Sequence, residues 1–357
     1  MINVTKTYLP PVSKYKEYID KIYKSGWITN NGPLIKKLEE KLAKYLGVRN
    51  IILVSNGTAA LEVAYRILEL EGDVITTPFS FVATTSSLVA NGLNPIFTDI
   101  DKDTLNINHK YIQQSITKKT KAIVPVHVFG NACEVEKIQN IANENNLKII
   151  YDAAHAFDVK YKKQSILNYG DISVLSFHAT KLFHTIEGGA LIINDDSLVE
   201  KARQIINFGI ENNESIPLVG INAKMNEFEA AMGLLVLEEI EEIKLKRKKL
   251  YKRYINKLEN LVKFQSIHKN SKNNYSYFPI ILKNEASLKK IQKVLNDHDI
   301  FPRRYFYPSL DTLKYIKSKQ VCKISRDISK RILCLPIYPE LDYETQNLII
   351  NLIKESL

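Results

Sequence analysis

The chain has 357 residues, 45% of them hydrophobic and 25% charged, which is enough apolar material for one large core and a smaller second one. No apolar run approaches the roughly 20 residues a membrane helix needs, and MINVTKTYLPPVSKYKEY lacks the charged start and apolar centre of a signal peptide, so a cytoplasmic protein with no membrane partner is expected. The formal charge of +11 would suit an acidic partner, but the densest basic run, Lys244 to Arg253, follows the acidic LEEIEEI as the solvated face of a helix does, which argues against nucleic acid.

From the N-terminus, short β-branched runs alternate with helical stretches. NIILVS, DVITTP, PIFTDI, AIVPVHV, LKIIYDA, ISVLSF and GALIIN each read as a buried strand, which predicts an α/β fold with a mostly parallel seven-stranded sheet. Between the first two, TAALEVAYRILELEGD repeats Leu61, Ala64, Tyr65 and Leu68 at helical spacing, with Gly72 as its stop. From Asn226 the texture changes to one long amphipathic helical pattern, NEFEAAMGLLVLEEIEEIKLKRKKLYKRYINKLEN, without internal proline. A strand (YSYFPIIL), a helix (EASLKKIQKVLNDHD), the loop FPRRYFYPSL and a final helix (DYETQNLIINLIKESL) follow and suggest a smaller α+β unit. The expected division is residues 1–235, a large α/β domain with its N-terminal segment, and residues 236–357, a connecting helix and small α+β domain. Cys133, Cys322 and Cys334 are widely spaced and odd in number, so neither a disulfide framework nor a metal site is expected.

Ligands of open α/β sheets sit at the carboxyl ends of the strands. There the sequence places Asn56-Gly57-Thr58 opening a helix, Phe81 after DVITTP, Asp152 and His155 after LKIIY, and Ser176, His178 and Lys181 after ISVL. Singly, each has a commoner structural use: a helix cap, a core phenylalanine, a structural histidine, a surface lysine. Together they offer an anion site at a helix N-terminus, an aromatic plate, a carboxylate and an amine. That set suits pyridoxal phosphate chemistry, in which the lysine joins the cofactor aldehyde and the carboxylate keeps the pyridine nitrogen protonated. The lysine in its neutral form can also move a proton at the substrate carbon.

With these residues, the chain resembles the DegT/DnrJ/EryC1/StrS family of nucleotide-sugar aminotransferases, fold-type I enzymes dependent on pyridoxal 5′-phosphate. The resemblance runs from Trp27 to the C-terminus through GWITNNGP, VSNGTAAL, TPFSFVAT, VHVFGNACE, YDAAHAFD, SFHATKLFHTIEGGAL, GINAKMNEFEAAMG and CLPIYP. It implies that Lys181 binds the cofactor and Asp152 pairs with its ring nitrogen. By the same likeness Phe81 stacks on the ring, His155 lies near its hydroxyl, and Gly57, Thr58 and Ser176 hold its phosphate. Asn222 matches an asparagine lent to the neighbouring subunit, which implies a homodimer. Trp27, Thr29, Arg304 and Tyr307 match regions facing the nucleotide-sugar, and His178 is expected to meet the substrate while shaping the lysine loop; His184 is not expected to act as a base. A histidine replaces the lysine in dehydratases of this family, so Lys181 favours a transaminase over a lyase, and over a non-catalytic regulator on the same fold. The resemblance further implies L-glutamate as donor and amination at C4 of dTDP-4-keto-6-deoxyglucose, with amination at C3 as the alternative.

Overall fold

The strand runs owe their burial to having a covered face on both sides. In the computed structural model, which describes residues 1–317 and 320–357, they form β1 (Ile51–Val54), β2 (Asp73–Thr76), β3 (Asn94–Phe97), β4 (Thr120–Val124), β5 (Lys148–Asp152), β6 (Ile172–Ser176) and β7 (Gly189–Ile193). They join one seven-stranded sheet in the order β1-β7-β6-β5-β4-β2-β3. All neighbours are parallel except β7, which is antiparallel to both β1 and β6. No helix separates β6 from β7, so the chain must turn straight back, and residues 177–188 form that return.

Side-chain alternation divides the sheet between two cores. Leu53, Ile75, Ile123, Ile149, Tyr151 and Leu175 pack with Leu38 and Leu42 of helix Pro33–Leu46. Their neighbours Ile52, Val54, Val74, Ala122, Ile150 and Val174 pack with Leu61 and Ala64 of helix Gly57–Ile67. This helix ends earlier than its periodicity predicts: Glu69 adopts φ 49, and the Leu70 N–H closes the turn on the Tyr65 carbonyl at 3.1 Å. Gly72, with φ 87, instead leads into β2.

The long helical pattern divides at Glu239 into helices Glu227–Glu238 and Ile240–Leu258. The first is apolar nearly all round, since it is wedged against helices Val12–Ser25 and Pro33–Leu46. The second is amphipathic and places Leu250, Tyr254 and Leu258 in a third core with Phe278, Ile280, Leu288, Ile291 and Ile349. Beside it Lys263–Phe264, Pro279–Ile281 and Ile332–Cys334 form a three-stranded antiparallel sheet. The N-terminus returns to this region: Ile2 and Asn3 pair in parallel with Ile300 and Phe301.

Two carboxylates hold distant helix starts. Glu227 accepts the N–H groups of Leu34 and Ile35 at 2.9 and 3.0 Å, fixing the loop that carries Trp27 and Thr29. Asp99 accepts those of Ile324 and Ser325 at 2.8 and 2.9 Å, opening helix Lys323–Arg331. Each satisfies first-turn N–H groups that have no partner within the helix. The basic run is not wholly solvated as expected: Arg247 is buried, donating from Nη1 to the carbonyls of Ser276 at 3.2 Å and Ile337 at 2.9 Å. All three cysteines are buried free thiols.

Candidate active site

The carboxyl ends of β1, β5 and β6 surround a cavity of about 320 Å³ whose wall includes Asn56, Gly57, Thr58, Phe81, Asp152 and His155. Ser176, His178 and Lys181 complete that side of it. Asn56 caps helix Gly57–Ile67, its side chain accepting the Ala59 N–H at 2.8 Å, and leaves the first amides of the helix facing the cavity. The helix start is pressed onto the sheet so closely that a Cβ on Gly57 would lie 2.9 Å from Cβ of Ser176, and one on Gly189 2.6 Å from the carbonyl carbon of Asn56. Only glycine admits this approach.

Lys181 lies on the return between β6 and β7. Phe177 and Phe183 bracket it, packing edge to face with ring centroids 4.8 Å apart, and Phe183 stacks on Phe157 at 4.7 Å. His178 shapes the turn: its Nδ1 contacts the Thr180 hydroxyl at 2.8 Å and accepts the Thr180 N–H at 3.2 Å, while Lys181 donates its own N–H to the His178 carbonyl at 2.9 Å. The Lys181 ammonium donates to the Tyr277 hydroxyl at 3.3 Å. Burial lowers its pKa, against the opposing pull of Asp152 and Tyr305.

Asp152 ends β5 with both oxygens engaged. Thr84 donates its hydroxyl to Oδ2 at 2.6 Å, and the Ala154 N–H reaches Oδ1 at 3.1 Å. Ser80 lies 2.7 Å from the Thr84 hydroxyl, forming a short polar chain behind the carboxylate. Burial pushes the Asp152 carboxyl up, and these two bonds and the Lys181 charge offset part of that rise. His155 stacks with Phe129 and Phe306, centroids 6.0 and 5.6 Å away. Its Nδ1 accepts the Phe129 N–H at 3.2 Å, so Nε2 keeps the proton, and burial holds the ring neutral by lowering its pKa.

Of the residues expected to meet the larger substrate, His178 lies on the cavity wall and the others lie elsewhere. Arg304 turns away from the cavity: it donates to Glu285 and to the Lys330 carbonyl, each at 3.1 Å, and its guanidinium lies over the Tyr307 ring at 3.6 Å. Its neighbour Arg303 lines the cavity instead, with Tyr277, Tyr305 and Phe306. Adjacent side chains leave this segment in opposite directions, and only the acceptors around Arg304 decide which arginine is used structurally. Trp27 and Thr29 lie on the loop held by Glu227, and Asn222 accepts from Lys224 at 2.8 Å; none of the three is on this chain's cavity wall. His184 is buried, within 2.7 Å of the Tyr8 carbonyl, and ties the N-terminal segment to the lysine loop. Thr84, Tyr277 and Arg303 lie within the stretches TPFSFVAT, YSYFPIIL and FPRRYFYPSL without being singled out there; the signal for Thr84 is its place one helical turn after Ser80, on the helix opened by Phe81.

A lysine and a buried carboxylate sharing one cavity with a helix N-terminus, at the carboxyl edge of a mostly parallel sheet, define a fold-type I aminotransferase. Residues 12–354 match the profile of the DegT/DnrJ/EryC1/StrS aminotransferase family, and the chain belongs to it. It is 43% identical to a dTDP-4-amino-4,6-dideoxy-D-glucose transaminase of Shigella dysenteriae, over 99% of this chain and 98% of that protein. A GDP-perosamine synthase of Escherichia coli O157:H7 is 33% identical over 94% of each chain. Among solved structures, DesI in the presence of its TDP-sugar product superposes with a TM-score of 0.94 at 30% identity, covering 99% of this chain and 92% of that one. Helicobacter pylori PseC, an aminotransferase of pseudaminic acid biosynthesis, gives 0.92 at 26% identity, with 99% and 98% covered.

Proposed function

We propose that this aminotransferase uses pyridoxal 5′-phosphate to move an amino group from L-glutamate to C4 of dTDP-4-keto-6-deoxy-D-glucose. The product is dTDP-4-amino-4,6-dideoxyglucose, for a surface polysaccharide. The carrying observation is the convergence of Lys181, Asp152 and the first turn of helix Gly57–Ile67 on one cavity. The likeness to transaminases named for that aminosugar supports the substrate.

The residues present fit the cofactor. The Gly57 and Thr58 amides and the Ser176 hydroxyl offer donors for its phosphate, Phe81 a face for its ring, and the free Nε2–H of His155 a donor for its hydroxyl. When bound, the cofactor supplies the ring that accepts electrons from the substrate carbon. Lys181 takes the α-proton of the donor and later returns one to C4 of the sugar; its burial favours the neutral amine this task requires. Asp152, steadied by Thr84, provides the negative charge that keeps the ring nitrogen protonated. Tyr277 directs the lysine amine by its 3.3 Å hydrogen bond.

A second copy of the chain completes each site in this reading. Asn222, the loop carrying Trp27 and Thr29, and half-exposed Phe208 lie on one surface: Asn30 and Lys224 share a cleft, and the Lys224 ammonium sits 4.6 Å over the Phe208 ring. The decisive experiment is the visible spectrum of the protein with pyridoxal 5′-phosphate before and after L-glutamate. The band of lysine-bound cofactor is expected to form and then give way to that of the aminated cofactor. Adding dTDP-4-keto-6-deoxyglucose is then expected to restore the first band. A band that ignores glutamate, or amine found only with the 3-keto isomer, refutes the donor or the regiochemistry respectively.

A further inference from the structure

We infer that Arg247 is a positioning residue for Lys181: it fixes Tyr277 from behind and, by its charge, keeps the Tyr277 hydroxyl a donor to the neutral lysine amine. The inference rests on Lys181 being the residue that binds the cofactor and moves the proton. Arg247 departs from the rule that a buried cation is paired. It is 3% exposed, and no carboxylate lies within ion-pair distance of it among the described residues, whereas Arg49, Arg203, Arg304, Arg326 and Arg331 each have one. In place of a carboxylate it has two carbonyls on Nη1, Ser276 at 3.2 Å and Ile337 at 2.9 Å, and its Nε is buried without a partner. Burial lowers its pKa only to about 10, so it is charged at neutral pH. A neutral donor would hold the same carbonyls at a smaller desolvation cost, so the charge itself needs a reason.

That reason lies one peptide away. The Ser276 carbonyl and the Tyr277 N–H share a peptide plane, so the bond from Arg247 sets the direction in which the Tyr277 side chain leaves the backbone. Asn274 holds the preceding turn, accepting the Ser276 N–H at 3.2 Å and donating to the carbonyls of His155 and Phe157 at 2.8 and 2.9 Å. Clamped from both sides, the Tyr277 ring packs on His155 and Phe129, with centroids 4.5 and 5.5 Å away. Its hydroxyl meets Lys181 at 3.3 Å and no other hydrogen-bond partner among the described residues. This contact serves both protonation states: the ammonium donates to the hydroxyl oxygen, and the neutral amine accepts the hydroxyl proton on its lone pair. A cation behind the phenol makes it the better donor and so favours the second arrangement; burial raises the Tyr277 pKa, and Arg247 offsets part of that rise. The other groups facing Lys181 are Asp152 and His155 from the sheet edge, His178 and Glu187 from its own loop, and Arg303 and Tyr305 from the segment after Phe301. Glu340 and Cys334 complete the titratable neighbours of Arg247 and Tyr277.

The test follows how fast the cofactor-free protein forms the band of lysine-bound cofactor with pyridoxal 5′-phosphate as pH is raised. Only the neutral amine adds to the aldehyde, with loss of water, so the midpoint of the rate profile reports where Lys181 becomes neutral. In Arg247→Gln, which keeps a donor and removes the charge, the midpoint should rise by roughly one pH unit, and Tyr277→Phe should raise it similarly. Arg247→Lys, which keeps the charge, should stay near wild type, and adding Arg247→Gln to Tyr277→Phe should move the midpoint no further. An unmoved midpoint in Arg247→Gln would overturn the inference. So would an Arg247→Lys midpoint displaced as far as that of Arg247→Gln, which would leave Arg247 as a backbone support only. A Tyr277→Phe midpoint equal to that of wild type would overturn it alone, whether or not the Arg247 variants fold. An error in the reading of Lys181 appears separately, as wild-type protein that forms no band at all, and the inference then falls with that reading.

Discussion

Replacing Thr84 by valine keeps the shape of the side chain and removes one hydroxyl. That hydroxyl donates to Asp152 at 2.6 Å and meets Ser80 at 2.7 Å, all in a buried setting. A hydrogen bond to a buried charge is worth about 2 kcal/mol and a neutral one about 1 kcal/mol, so the cofactor-free variant should be about 3 kcal/mol less stable while Asp152 is ionised. The sign of the pH dependence follows from burial, which raises the folded-state carboxyl above its ordinary 3.8. The folded protein therefore holds the proton where the unfolded chain has released it, and stability falls as pH rises through the folded value. Losing the Thr84 bond raises that value further, so the variant's deficit is full above it. Towards pH 4 the deficit shrinks to two neutral bonds, about 2 kcal/mol. For a chain of this size these deficits correspond to melting-temperature differences of roughly 6 °C at pH 8 and roughly 4 °C in acid. Thermal unfolding of the two cofactor-free proteins across this range measures both; an equal difference at every pH would refute the assignment of Thr84 to the Asp152 charge.

Lys181→Ala should show no band of lysine-bound cofactor and should form 2-oxoglutarate from L-glutamate on the order of a thousandfold more slowly, read in one spectrophotometric assay. Glu227→Ala leaves the Leu34 and Ile35 amides without their acceptor. A loss of about 3 kcal/mol is expected, with faster limited proteolysis around residues 26–33. Gly189→Ala brings a methyl group within 2.6 Å of the Asn56 backbone and must displace the first turn of the helix. Its affinity for pyridoxal 5′-phosphate, titrated into the cofactor-free protein, should fall about tenfold, the effect of roughly 1.4 kcal/mol.

The features legible in the sequence were those with a local period or a local turn. All seven central strands could be read from β-branched runs, and the positions following Ile51–Val54, Lys148–Asp152 and Ile172–Ser176 do meet in one cavity. The break at Glu239 has no proline or glycine to announce it. Its only sequence trace is the change from an all-round apolar stretch to a one-sided one, where a helix covered on several faces becomes a helix covered on one. The choice between Arg303 and Arg304 could not be read at all, since it depends on Glu285 and the carbonyls of Ser329 and Lys330, brought close only by the fold. The same holds for Arg247 and Tyr277: a lysine-rich helix gave no sign that one of its cations would hold the carbonyl of Ser276, next to the tyrosine that contacts Lys181.

The N-terminal segment has a practical consequence for handling the enzyme. Ile2 and Asn3 are hydrogen-bonded alongside Ile300 and Phe301, two residues before Arg303, while the Tyr8 carbonyl holds His184 in the lysine loop. Between them Val4 packs with Phe129, Tyr277 and Phe306, the aromatic residues around His155 and Lys181. Fewer than ten residues thus strap the arginine wall of the cavity to its lysine wall. An affinity tag or fusion joined at Met1 would stand at the end of that strap, whereas the same tag placed after Leu357, at the exposed end of the last helix, would lie apart from it.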